Sequence, residues 1–112
     1  MNLLEETIIA IKMYGHTIDD IIFIGSADGE YSCTWEEFAE LANTEYDDGF
    51  GEQRVATDLI IQFSDDGRLY RVEYDGSEEW EYAGPLRVAD EPKPIRNLFG
   101  AYDTLDDLNQ NN

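Results

Sequence analysis

The stretch NTEYDDGFGE, residues 43–52, sets four acids, Glu45, Asp47, Asp48 and Glu52, around two glycines and two aromatic rings, with no Lys or Arg among them. Residues of these types can do three kinds of chemistry. Clustered carboxylates can hold a hard cation such as calcium or magnesium. A pair of them can work as general acid and base or nucleophile at a cleft. An array of them can meet a positively charged partner. The stretch lacks the alternating D-x-D-x-D-G pattern with a bidentate acid at the twelfth position, and its adjacent Asp47 and Asp48 point apart in many loop conformations. No specific metal site and no cofactor are therefore expected.

Catalysis has little to rest on. Paired carboxylates arise by chance in so acidic a chain, and 112 residues leave little room for a sugar cleft. The single histidine, His16, follows Gly15 at an expected helix end, where a solvated or capping role fits it better than acid–base work. Ser26, Ser32, Ser64 and Ser77 lack a nucleophile-elbow context. The glycine-rich stretch is acidic and would repel phosphate rather than cradle it. No catalytic residue is assigned, and a non-enzymatic protein is expected.

Charge is the dominant quantity. The chain holds 26 Asp and Glu against 7 Lys and Arg, a formal net charge of −19. Between residues 13 and 53 there are eleven acids and no Lys or Arg: Asp19, Asp20, Asp28, Glu30, Glu36, Glu37, Glu40, Glu45, Asp47, Asp48 and Glu52. An ordinary solvated surface mixes signs, because mixed pairs relieve repulsion. Direct binding to DNA or RNA is opposed by this charge, since phosphate contacts need Lys and Arg. One cysteine, Cys33, excludes an internal disulfide. Glu5, Glu6 and Lys12 interrupt the apolar opening, so neither a signal peptide nor a membrane span is read there, and a cytoplasmic protein is expected.

The elements that must position these acids follow from periodicity. Apolar residues make up 42% of the chain, enough for one folded domain, expected over residues 1–101, with a flexible acidic tail over 102–112. Leu4, Ile8 and Ile11 recur at helical spacing, and Gly15 ends that helix. Ile21 to Ile24 reads as a strand buried on both faces, returning through Asp28-Gly29 into a second strand with Tyr31 and Cys33 on one side. Thr34 with Glu37 makes a capping box, opening a helix whose apolar stripe is Trp35, Phe38, Ala39 and Ala42. Three further strands follow, with Leu59, Ile61 and Phe63 on one face, Tyr70, Val72 and Tyr74 together, and Trp80 with Tyr82. Asp66-Gly67 and Asp75-Gly76 mark their turns. The expected fold is α+β, a mainly antiparallel sheet of about five strands with two helices packed on one face.

On this frame the acids form a polyanionic face. Glu36 and Glu40 share one helix face about 6 Å apart, and Glu79 and Glu81 repeat along a strand at roughly 6.6 Å. Such spacing imitates the phosphate array that a nucleic-acid-binding protein meets. The expected contact residues are Glu36, Glu37, Glu40, Glu45, Asp47, Asp48, Phe50 and Glu52, with Tyr46 and Phe50 either anchoring a partner or plugging the core beneath the loop.

Three stretches, DDIIFIGSADGEYSCTWEEF, EYDDGFGEQRVATDLIIQF and YRVEYDGSEEWEY, together resemble small acidic proteins of phages and prophages, over roughly residues 19–82. That group includes DNA mimics and anti-CRISPR and anti-restriction inhibitors. The resemblance implies a protein acting in the host cytoplasm and supplies no catalytic or binding residues. Together with the charge it gives two expectations, beside the blander one of a structural or regulatory phage protein. One is an inhibitor of a host nucleic-acid-binding defence protein, foremost a CRISPR–Cas effector. The other is an immunity protein or antitoxin that neutralises a basic toxin nuclease. The expected partner in the first is a basic host protein, and the oligomeric state stays open.

Overall fold

The computed structural model describes residues 1–47, 52–85 and 89–110. Helix α1, Leu3–Met13, starts where the Asn2 side chain accepts the Glu5 amide at 3.0 Å. It stops in a paired-carbonyl cap, with Gly15 N–H donating to Lys12 and His16 N–H to Ile11, both at 3.0 Å. A 3₁₀ turn, Ile18–Asp20, leads into strand β1, Ile21–Ser26. Helix α2 is Trp35–Ala42. Strands β2, Leu59–Phe63, β3, Arg68–Tyr74, and β4, Ser77–Ala83, follow, and a short helix α3 is Leu105–Asn109.

The architecture is α+β. Its sheet is antiparallel in the order β1-β2-β3-β4. Among the described residues it has four strands rather than five. The expected return strand at residues 30–33 makes only one isolated bridge, Ser32 to Gly25, before Thr34 begins α2. A helix N-cap one residue beyond Cys33 leaves no length for a ladder. A β-carbon at Gly25 would lie 1.9 Å from the Tyr31 carbonyl, so only glycine admits the returning backbone there. Nor is β1 buried on both faces. It is an edge strand with a bulge between Ile21 and Phe23, and Ile22 is exposed.

Alternation decides which side chains meet the helices. Ile24, Ile61, Phe63, Leu69 and Trp80 form the core with Ala10 and Ile11 of α1 and Phe38 and Ala42 of α2. Burying such side chains contributes about 1.5–3 kcal/mol each. Tyr70, Val72 and Tyr74 do share a face, but it points away from the core, and Tyr74 is exposed. The inward positions of β3 are Leu69 and Arg71. Trp80 Nε1 donates to the buried Thr7 hydroxyl at 2.9 Å, fixing α1 over β4.

The segment expected as a tail holds α3, which opens with a Thr104–Asp107 capping box. Residues 89–107 are all exposed. Accordingly the radius of gyration is 17.9 Å, above the roughly 13–14 Å of a compact chain this long.

Candidate acidic interface

Helix α2 presents the first acids. The capping box forms as expected: Thr34 Oγ1 accepts the Glu37 amide at 3.1 Å, and Glu37 Oε1 accepts the Thr34 amide at 3.0 Å. Phe38 and Ala42 turn inward, and Trp35 packs against Phe38 with ring centroids 5.6 Å apart. Glu36 and Glu40 are thereby left in solvent with no salt bridge among the described residues. Glu37 is exposed too, but its carboxylate is already engaged in the cap.

The loop that follows is clamped on both limbs. On the incoming limb, Asn43 accepts from the Asn2 side chain at 3.0 Å and the Thr44 carbonyl accepts the Leu3 amide at 3.3 Å. Glu45 lies 3.0 Å from the Met1 amine. On the outgoing limb, the buried Glu78 carboxylate accepts the Arg54 amide at 2.5 Å and the Val55 amide at 3.1 Å. Asp47 and Glu52 are exposed, while Asp48 and Phe50 lie outside the described residues.

Beneath this loop is a buried ion network. Arg71, 5% exposed, donates to Glu6 at 2.7 Å, to Glu78 at 3.1 Å and to the Tyr46 hydroxyl at 3.0 Å. Tyr46 in turn donates to Glu6. The guanidinium also sits 4.9 Å from the Trp80 ring centroid, a cation–π distance. Burial pushes the Glu78 carboxyl up, but the two loop amides and Arg71 outweigh it and hold the group below the usual carboxylate range. Burial, reinforced by Glu6, pushes the Tyr46 phenol well above its ordinary range despite Arg71. Burial alone would lower Arg71, yet Glu6, Tyr46 and Glu78 keep the guanidinium protonated. Tyr46 is thus a hydrogen-bonded plug under the loop. It is not an exposed anchor.

Periodicity alone did not single out Arg71 and Glu78. A signal was present, since Arg71 alternates in phase with Leu69 and Glu78 with Trp80 and Tyr82. Charged residues in inward phase mark a buried pair.

The other chemistry-bearing groups, His16 and Cys33, are partly drawn into the packing. His16 is not solvated: its ring stacks on Phe63, centroids 4.0 Å apart at 4°, with Tyr82 Oη at 2.9 Å, Asp20 at 3.3 Å and Asp65 at 3.5 Å. Cys33 is half-buried, and burial, with Glu37 nearby, raises its thiol, which disfavours the reactive thiolate. Among the described residues no group of three His, Cys, Asp or Glu could hold a metal ion, and no helix is long and apolar enough to cross a membrane. What the described residues offer is a set of exposed carboxylates on α2 and on the two limbs of the loop. The chain matches no family model, no curated protein and no solved structure.

Proposed function

We propose that the protein is a non-enzymatic, phage-type inhibitor whose acidic face occupies the nucleic-acid groove of a basic host defence protein, a CRISPR–Cas effector being the foremost candidate. One observation carries this reading. Of the acids in the base-free run between residues 13 and 53, all those described are exposed except Asp20. A chain gains no stability from leaving so many like charges together, because they repel and oppose compaction. Glu36, Glu37 and Glu40 stand on a capped helix, and Glu45 and Glu52 lie on the hydrogen-bonded limbs of the loop; acids held in place lose less entropy on binding. Complementary potential then speeds encounter with a basic groove and excludes acidic competitors.

The test uses the quadruple variant Glu36→Gln, Glu40→Gln, Asp47→Asn and Asp48→Asn, which removes four charges and nearly preserves shape. The parent chain is first used to capture its partner from lysate of a candidate host, identified by mass spectrometry. Association with that partner should fall steeply with salt, and the parent should displace DNA or guide RNA from it. The variant should associate much more slowly. A variant that binds and inhibits like the parent would remove these acids from the contact. Capture of a toxin nuclease in place of a defence protein would favour the immunity-protein reading.

A further inference from the structure

His16 is the sole histidine of the chain, and its ring gathers groups from distant parts of the fold. Nδ1 lies 3.3 Å from Asp20 Oδ2 in the 3₁₀ turn, and Nε2 lies 2.9 Å from Tyr82 Oη on β4. Asp65 Oδ2, in the turn between β2 and β3, is 3.5 Å from the same Nε2. The ring lies flat on Phe63 of β2, and the imidazole is only 9% exposed. Lys12 of α1 lines a small pocket together with His16, and its charge opposes a second cation there.

Each partner of the ring is itself held. Asp20 Oδ2 also accepts the Thr17 amide at 3.0 Å. Asp65 Oδ1 accepts the Gly67 amide at 2.9 Å, which leaves Oδ2 to face the ring. A β-carbon at Gly67 would lie 2.2 Å from Tyr82 Oη, so the bare glycine gives the hydroxyl its place. The Tyr82 ring is stacked on Tyr14 at 4.8 Å. The Thr17 amide, against burial, and then His16 hold the Asp20 carboxyl below its ordinary range, so it faces Nδ1 ionised. Burial, reinforced by Asp65, raises the Tyr82 phenol, which therefore keeps its proton.

Counting donors and acceptors shows what a proton does here. A carboxylate only accepts, so the contact with Asp20 needs the ring proton on Nδ1. A neutral imidazole has one N–H, so Nε2 is then a lone pair that accepts the Tyr82 hydroxyl. Asp65 faces that lone pair with no proton between them. A proton added at Nε2 reverses the arrangement. Nε2 donates, the Tyr82 oxygen accepts, and Asp65 meets a cation. The Phe63 face beneath also attracts a cation at this distance. We propose that His16 is a proton-operated clasp: protonated, it bridges Asp20 and Asp65 and draws the β2–β3 turn onto the end of α1, and neutral, it releases Asp65. The clasp acts beside the Ser64 amide bond to the Asp20 carbonyl, 2.8 Å long, which ties the same turn to the 3₁₀ turn. Histidine ordinarily changes charge between about pH 5 and 8, so the device works near neutrality.

The experiment is a nitrogen-15 NMR titration of the full chain from about pH 8 to about pH 5. With a single histidine, the ring nitrogens are read without ambiguity. At the basic end the proton should sit on Nδ1 alone. On acidification both nitrogens should carry protons, and the Gly67 amide, held by Asp65, should shift in step with the ring. In Asp65→Asn, which keeps an oxygen for that amide but not the charge, Gly67 should cease to follow the ring. Hydrogen exchange at Ser64 and Gly67 is then compared between parent and His16→Gln at each pH. The variant-to-parent ratio should be several-fold larger at the acidic end than at the basic end. A ratio independent of pH would make the ring a packing group only and overturn the proposal. So would a proton on Nε2 alone at the basic end, or a parent Gly67 amide indifferent to the ring. The parent titration decides by itself should either variant fail to fold.

Discussion

Glu78 and Glu40 are the same side chain in one acidic protein, and they are held in opposite ways. Glu78 is 3% exposed, and its two oxygens take two loop amides and a guanidinium. Glu40 is exposed, in no salt bridge among the described residues, at the end of a helix that buries Phe38 and Ala42. Around Glu78 the protein surrounds charge with partners until desolvation is repaid by hydrogen bonds. Around Glu40 water does the solvating. The buried network is therefore the mounting of the loop's two limbs, at Tyr46 and at Arg54 and Val55, while Glu40 stands in solvent on α2, outside that network.

The sharpest way to break this comparison is to remove the mounting. Arg71→Met leaves Glu78 buried without its cation and should cost about 3–5 kcal/mol in urea unfolding. Adding Glu6→Gln and Glu78→Gln to it should recover a substantial part, since neutral partners need no counter-charge. A loss below about 1 kcal/mol would place the network in effective contact with water. Trp35→Ala should come next. The ring is only half-buried against Phe38, so the cost should sit toward the low end of the about 3–5 kcal/mol of a full core truncation. A folded variant that instead loses its partner would make Trp35 a contact residue.

Acid separates the two regions by sign. Because the Glu78 carboxyl is held below its ordinary value of 4.5, its stabilising effect is complete above that pH and fades as pH falls through the lowered folded value. Protonating the exposed acids acts the other way, by relieving repulsion. Stability measured against pH should thus rise on mild acidification and then collapse. In Glu78→Gln the collapse should be shallower. An unchanged acid limb in that variant would assign acid unfolding to other groups.

The exposed acids should matter little for stability. Each of the amide substitutions at Glu36 and Glu40 should shift it by no more than about 0.5 kcal/mol. Added salt should stabilise the parent by screening, and the charge-reduced variant less so. Equal salt responses would mean that the repulsion lies elsewhere. The smallest effect is expected from chelator, which should leave the melting temperature unchanged. A large shift with micromolar calcium alone would instead reveal a bound ion.

Much of this was legible in the chain itself. The capping box at Thr34 and Glu37, the stripe of α2, the end of α1 at Gly15 and the hairpin at Asp75-Gly76 all follow from local rules of hydrogen bonding and backbone sterics. So does the base-free acidic run. These features depend on residues a few positions apart, and short-range physics specifies them without the rest of the molecule. Tertiary structure alone decided which phase of β3 faces inward. Tyr70, Val72 and Tyr74 offered the better apolar stripe, yet Leu69 and Arg71 are buried, because Arg71 finds Glu6, Tyr46 and Glu78 brought from 65, 25 and 7 residues away. A buried cation is tolerable only where several distant acceptors converge, and convergence is a property of the fold. The same holds for the His16 ring: a local reading gives the residue a solvated or capping role, and while its amide does cap α1, the packed protein stacks the ring on Phe63. Spacing along the chain determined where the acids stand, and packing across it determined how firmly they are held.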